Sequence, residues 1–209
     1  MEVRWVPYSA GLLATGALAL LLGALLTPTG EAAETLQVVE ESGGRWLLAC
    51  VMYLFASFSL TLGLPAAYLL MRRRSPRFGL LAVGVFAIGT IALCGYAMLL
   101  VFYRALVLTD ALAGPVDDVT GDVGIAVFLG ILLGSFYLGE LLLAIAAAWE
   151  PAVPRWVSVV MVLHVLSAVV VPFAPESVQN VPSVLLAAGL CGIAVAANEV
   201  SQRPVALSR

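Results

Sequence analysis

Apolar residues run along this chain in long blocks, separated by shorter polar or charged stretches. A helix needs about 20 apolar residues to cross the hydrocarbon of a bilayer. Six blocks come near or above that length: 8–27, 46–71, 78–103, 123–149, 156–173 and 181–197. The pattern predicts an all-α protein, a polytopic transmembrane helical bundle of six spans, with residues 1–209 as a single integral-membrane domain. The first block is read as a retained span and not as a secretion signal. Its apolar run is long, Glu2 spoils a basic start and no A-x-A site follows.

The polar stretches then sort by charge. Arg4, the RRRSPR cluster (Arg72, Arg73, Arg74, Arg77), Arg155, Arg203 and Arg209 fall on one side of the six spans, and only Arg45 and Arg104 on the other. The second side also carries most of the acids, from Glu31 to Glu176. Positive charge marks the cytoplasmic side, so the sequence predicts an inner-membrane protein with both termini in the cytoplasm. Trp5, Trp46, Trp149 and Trp156 fall at the expected membrane boundaries as interfacial anchors.

Two outer stretches exceed simple turns. Residues 28–45 predict a short surface helix between Pro28 and a stop at Gly43-Gly44, with Leu36 and Val39 toward the membrane. Residues 104–122 begin as a continuation of the third helix and break at Gly114-Pro115. The inner connections are short, so spans two and three form one hairpin and spans four and five another. Three spans on either side of the second outer stretch would suit an inverted repeat, but no internal sequence similarity supports one.

Composition agrees and excludes several functions. The chain is 62% hydrophobic and 11% charged, against about 25% charged for a soluble domain. A net charge of −3 with no basic stripe argues against nucleic-acid binding. Cys50, Cys94 and Cys191 lie far apart without a CxxC pair, so a thiol–disulfide enzyme is not expected; they read as small apolar packers. Lysine is absent, which removes a retinal-type Schiff base, and His164 is the only histidine, which removes bis-histidine haem ligation within one chain. No cofactor is called for.

One charge stands inside a span. Glu140 interrupts VGIAVFLGILLGSFYLGELLLAIAAAW, residues 123–149. A carboxylate at mid-membrane costs a few kcal/mol and should face the bundle interior with a partner or a proton. Glu140 lies twelve residues before Ala152, at the turn between spans four and five, and His164 lies twelve after it. In an antiparallel hairpin these two positions share a depth, on the order of 12 Å inside the cytoplasmic boundary at the helical rise of about 1.5 Å per residue.

 Tyr137, three residues before Glu140, shares its helix face. Thr15, Thr61, Thr90 and Cys191 reach a similar level on other spans, and Pro65 deprives the Thr61 carbonyl of its helical hydrogen bond. Together these residues outline a polar pocket entered from the cytoplasmic side. Burial disfavours the charged form of each partner in the Glu140–His164 pair, and their mutual attraction favours it, so the pair suits acid–base or proton-binding work. The alternative is a hydrogen-bonded pair that locks two helices.

Two weaker features complete the inventory. Asp117, Asp118 and Asp122 in DDVTGD have the oxygen donors of a divalent-cation site, with Arg104 available for a phosphate. Read plainly, they form a solvated acidic loop in which Asp122 caps the fourth helix. Gly130 and Gly134, at four-residue spacing, permit close helix approach and a homo-oligomer contact.

The segments SAGLLATGALALLLGALL, AAETLQVVEESGGRW, RRRSPRFGLLAVGVFAIGTIAL and DVGIAVFLGILLGSFYLGELLLAI…PRWVSVVMVLHVL resemble, over nearly the whole chain, a large bacterial family of six-helix membrane proteins of unknown function. That family often carries a histidine where this sequence has Asp122-Val123. A looser likeness is to small integral-membrane terpene cyclases, which tend to have seven spans and two intramembrane acids. Three functional readings follow. The first is a membrane protein whose Glu140/His164 pocket binds a hydrophobic small molecule or partner, or senses protons, among membrane lipids. The second is a membrane-embedded enzyme on a lipid or isoprenoid, with Glu140, His164 and Tyr137 as its catalytic residues: Glu140 donates or accepts the proton, His164 tunes it, and Tyr137 and Thr61 orient the substrate. The third is a structural subunit of a membrane complex.

Overall fold

A computed structural model describes residues 5–27, 39–109, 111, 122–170 and 179–202, apart from the side chain of Val169. The described elements are all helical: α1 (Val6–Leu26), α2 (Gly43–Met71), α3 (Pro76–Leu108), α4 (Val123–Trp149), α5 (Arg155–Val170) and α6 (Val181–Gln202). Each predicted block became one helix. The third runs past its apolar block to Leu108, as the expected continuation requires. The break at Gly114-Pro115 lies outside the described residues.

Five of these helices, α1, α2, α3, α4 and α6, are long and apolar enough to cross a membrane. Among the described residues the expected count of six spans is therefore corrected to five. Helix α5 has 16 residues, about 24 Å at the usual rise, against about 30 Å of hydrocarbon. The apolar run that suggested a sixth span, residues 156–173, extends beyond the described residues of α5.

The helices close into a ring. Each packs on its neighbour in sequence, and α6 closes the ring on α1 while also touching α2. Paired contacts run antiparallel: Leu13 and Gly16 of α1 face Gly63 and Leu60 of α2, and Phe86 and Gly89 of α3 face Gly139 and Phe136 of α4. One continuous core draws on all six, including Leu13, Leu60, Phe86, Leu143, Met161 and Leu190.

Close approach of backbones sets this packing. A Cβ placed on Gly16 would lie 2.7 Å from the Leu60 amide nitrogen, and one on Gly63 would lie 2.5 Å from Leu13 Cα. Between α3 and α4 the same exchange recurs: Gly89 faces the backbone of Phe136, and Gly139 faces the backbone of Phe86. Each glycine lies three residues after the large residue that fills the opposite notch, in LATG, LTLG, FAIG and FYLG. Two helix pairs thus share one reciprocal large-x-x-Gly joint. Lipid is as apolar as a helix surface, so helices associate through such van der Waals contact and through hydrogen bonds. Gly130 and Gly134 do not take part; a Cβ on either meets nothing within 4 Å.

Hydrogen bonds between helices supplement the joints. Pro65 interrupts α2, and Ser9 of α1 repairs the interruption. Its Oγ accepts from the Ala66 amide at 3.2 Å and lies 2.9 Å from the Leu62 carbonyl oxygen. Ser9→Ala is expected to lower stability in detergent by about 1 kcal/mol, near the usual worth of an intramembrane hydrogen bond. Thermal unfolding of the variant against wild type checks this.

At the opposite end, Arg45 donates to the Leu26 and Leu25 carbonyls that end α1, and Arg104 Nε donates to Gly43 O at 3.0 Å. Trp46 departs from its expected role as an interfacial anchor. It is buried, and its indole nitrogen donates to Leu100 O at 3.0 Å. Trp5, Trp149 and Trp156 remain about half exposed, as anchors do. Val39 is also displaced from expectation: it is fully buried against Trp46, Cys50 and Val107 instead of facing the membrane. Residues 39–41 are helical and a turn falls at Ser42, one residue before the expected stop, where Gly43 opens α2. Leu36 lies outside the described residues.

Candidate functional site

Glu140 and His164 meet. Nδ1 of His164 lies 2.6 Å from Oε2 of Glu140, Glu140 is 0% exposed and His164 is 6% exposed. The reason is the hairpin geometry read from the sequence, refined by two local contacts. Gly139 lets α4 approach α3 closely at Phe86, which fixes that face of α4 inward. The next residue, Glu140, is thereby carried into the bundle toward α5. Helix α5 presents His164 one turn beyond the fully buried Met161.

The pair sits in an aromatic row. Phe86 of α3 packs on Phe136 of α4 with ring centroids 5.0 Å apart, and Phe136 meets Tyr137 edge-on at 6.1 Å. Tyr137 in turn stacks on the His164 ring at 5.6 Å and 29°, within the usual range for ring pairs. Tyr137 is thus a neighbour of the imidazole face.

The hydrogen-bonding account is unbalanced. Oε2 of Glu140 has the imidazole, but Oε1 is buried without a partner. A buried polar atom left unpaired costs on the order of 1–3 kcal/mol, and more when charged. A proton shared between Oε2 and Nδ1 has two placements: a carboxylic acid donating to the ring, or a protonated ring donating to a carboxylate. Both keep the 2.6 Å contact.

No family model, curated protein or solved structure matches this chain.

The remaining candidates are dispersed. Thr61 and Thr90 hydroxyls lie 3.0 Å apart, and Ser57 Oγ donates to Thr90 O at 2.6 Å, forming a separate polar knot between α2 and α3. Thr15 is exposed and bonds its own helix at Leu12 O. Cys191 Sγ points to Ala14 O at 3.9 Å. None of these four bonds to Glu140 or His164. Arg104 is tied to Gly43, and Asp122 caps α4 by accepting from the Ile125 amide at 3.1 Å. Asp117 and Asp118 lie outside the described residues, and among the described ones no three His, Cys, Asp or Glu side chains group as metal ligands. The three cysteines are free.

Two cavities border α4. One of about 520 Å³ lies between α3 and α4, lined by residues such as Gly95, Phe102, Asp122 and Phe128. The other, about 280 Å³, lies between α4 and α5 and includes Ala144, Ser158 and Leu163. Neither is lined by Glu140, His164 or Tyr137. Sequence reasoning missed Ser9, Ser57 and Ser158. Nothing in the sequence singles out one serine in an apolar helix, because its partner is set by another helix.

Proposed function

We propose that this multi-pass membrane protein carries a proton-responsive junction, in which Glu140 and His164 couple the packing of α4 and α5 to the protonation of one buried pair. The observation that carries the reading is the enclosed carboxyl group with one oxygen on the imidazole and the other unpaired. Such a group changes its interactions with its helix neighbours whenever the proton count of the pair changes. What supports a junction over an acid–base enzyme is the enclosure of the pair: Glu140 and His164 are both buried, and neither of the two grooves beside α4 reaches them. The arginine distribution, with Arg4, Arg72, Arg73, Arg74, Arg77, Arg155, Arg203 and Arg209 outnumbering Arg45 and Arg104, supports an inner-membrane location.

Infrared difference spectroscopy in lipid, between about pH 5 and pH 8 where histidine titrates, tests this. A carboxyl C=O band that changes with pH in wild type, and disappears in Glu140→Gln, is the expected result. An unchanging carboxyl region in wild type would show a fixed helix clamp.

A further inference from the structure

The groove between α4 and α5 is distinct from the Glu140–His164 pair. It begins about one turn along α4 from Glu140, at Ala144, and continues toward the Trp149 end past Ile145 and Ala148. From α5 it takes Ser158, Val159, Val162 and Leu163. Every lining side chain but one is a hydrocarbon. Val159 is 55% exposed and Leu163 is 47% exposed, so the groove lies on the outer face of the bundle.

Ser158 is the exception and points to an occupant. It is 8% exposed, and its Oγ is buried without a partner. Eight other hydroxyls among the described residues, Thr27, Thr61 and Ser135 included, donate to a carbonyl one turn back along their own helices. Ser158 instead lines the groove with an unused donor. The charged group nearest along the helix is Arg155, the exposed first residue of α5. Three residues separate it from Ser158, about 5 Å along the axis. That matches the headgroup layer, about 5–8 Å thick on each side of the hydrocarbon. Trp149 and Trp156, both about half exposed, flank the same end.

We propose that this groove holds one acyl chain of a glycerophospholipid. The phosphate pairs with Arg155 at the positive N-terminal end of α5, an ester carbonyl accepts from Ser158 Oγ, and the chain follows Val159, Val162 and Leu163 toward the level of His164. The volume, about 280 Å³, falls just below the roughly 300–1,000 Å³ of small-molecule sites, which suits part of one chain and not a ring system.

The test uses the full chain in phosphatidylcholine nanodiscs containing a phosphatidylglycerol with a diazirine midway along one acyl chain. After illumination, modified peptides are mapped by mass spectrometry. Labelling is expected to concentrate on residues 144–148 and 159–163. Ala148→Trp and Val159→Trp, which fill the groove from opposite walls, should each reduce that labelling at least about fivefold, on the order of a lost acyl-chain contact. Leu133→Trp, on an exposed part of α4 away from the groove, should leave it unchanged. Ser158→Ala should lower phospholipid retention through detergent purification by about twofold to tenfold, the worth of one hydrogen bond. Labelling spread over all helices in proportion to exposure would overturn the proposal. So would an unchanged pattern in both tryptophan variants, each verified as folded by its thermal transition.

Discussion

His164→Leu is expected to destabilise the protein by about 3 kcal/mol or more, because it strands a fully enclosed carboxyl group. Leucine keeps most of the imidazole volume, so the loss reports the missing partner more than a cavity. Both oxygens of Glu140 would then lack a partner, where only Oε1 does now. Glu140→Leu should cost less, since the group it strands is a single ring nitrogen. The double substitution should recover much of the His164→Leu loss, because an apolar pair of similar volume needs no hydrogen bond. Thermal or chemical unfolding of the four proteins in one detergent closes the cycle. If the two single losses simply add, the pair contributes nothing as a pair, and the junction reading fails with it.

The second large effect is expected at the glycine joints. Gly139→Leu should prevent α3 and α4 from packing, with a loss above the usual 1–3 kcal/mol of overpacking. The new Cβ would meet the Phe86 backbone, which cannot turn aside as a side-chain tip can. Gly63→Leu, against the Leu13 backbone at 2.5 Å, should behave alike. Gly134→Leu is the control: it has open space and should be nearly neutral in the monomer. Folded yield and the unfolding temperature decide the order. A Gly139 variant as stable as the Gly134 variant would mean that these joints do not govern the bundle.

Glu140 also links the two effects. It immediately follows Gly139, so the joint that seats α4 on α3 aims the carboxyl group toward α5. Loosening the joint with Gly139→Ala should therefore disturb the pair as well as the fold.

The amino-acid sequence alone determined the solvent, the helices and one contact. Hydropathy located all six helices to within a few residues, because lipid demands long apolar runs with internally bonded backbones. Equal spacing from the α4–α5 turn identified Glu140 and His164 as partners, since depth in an antiparallel hairpin is a matter of counting. Tertiary structure alone decided the rest. Among the described residues, helix α5 falls short of a full span. Trp46 and Val39 turned inward, Thr61 and Thr90 bonded each other instead of joining the pair, and Ser9 found the Ala66 amide. Hydrophobicity tells a residue to enter the membrane but, with apolar surroundings on every side, carries no preference for lipid over a neighbouring helix. Close packing makes that choice, and it depends on which backbones the glycines allow to touch.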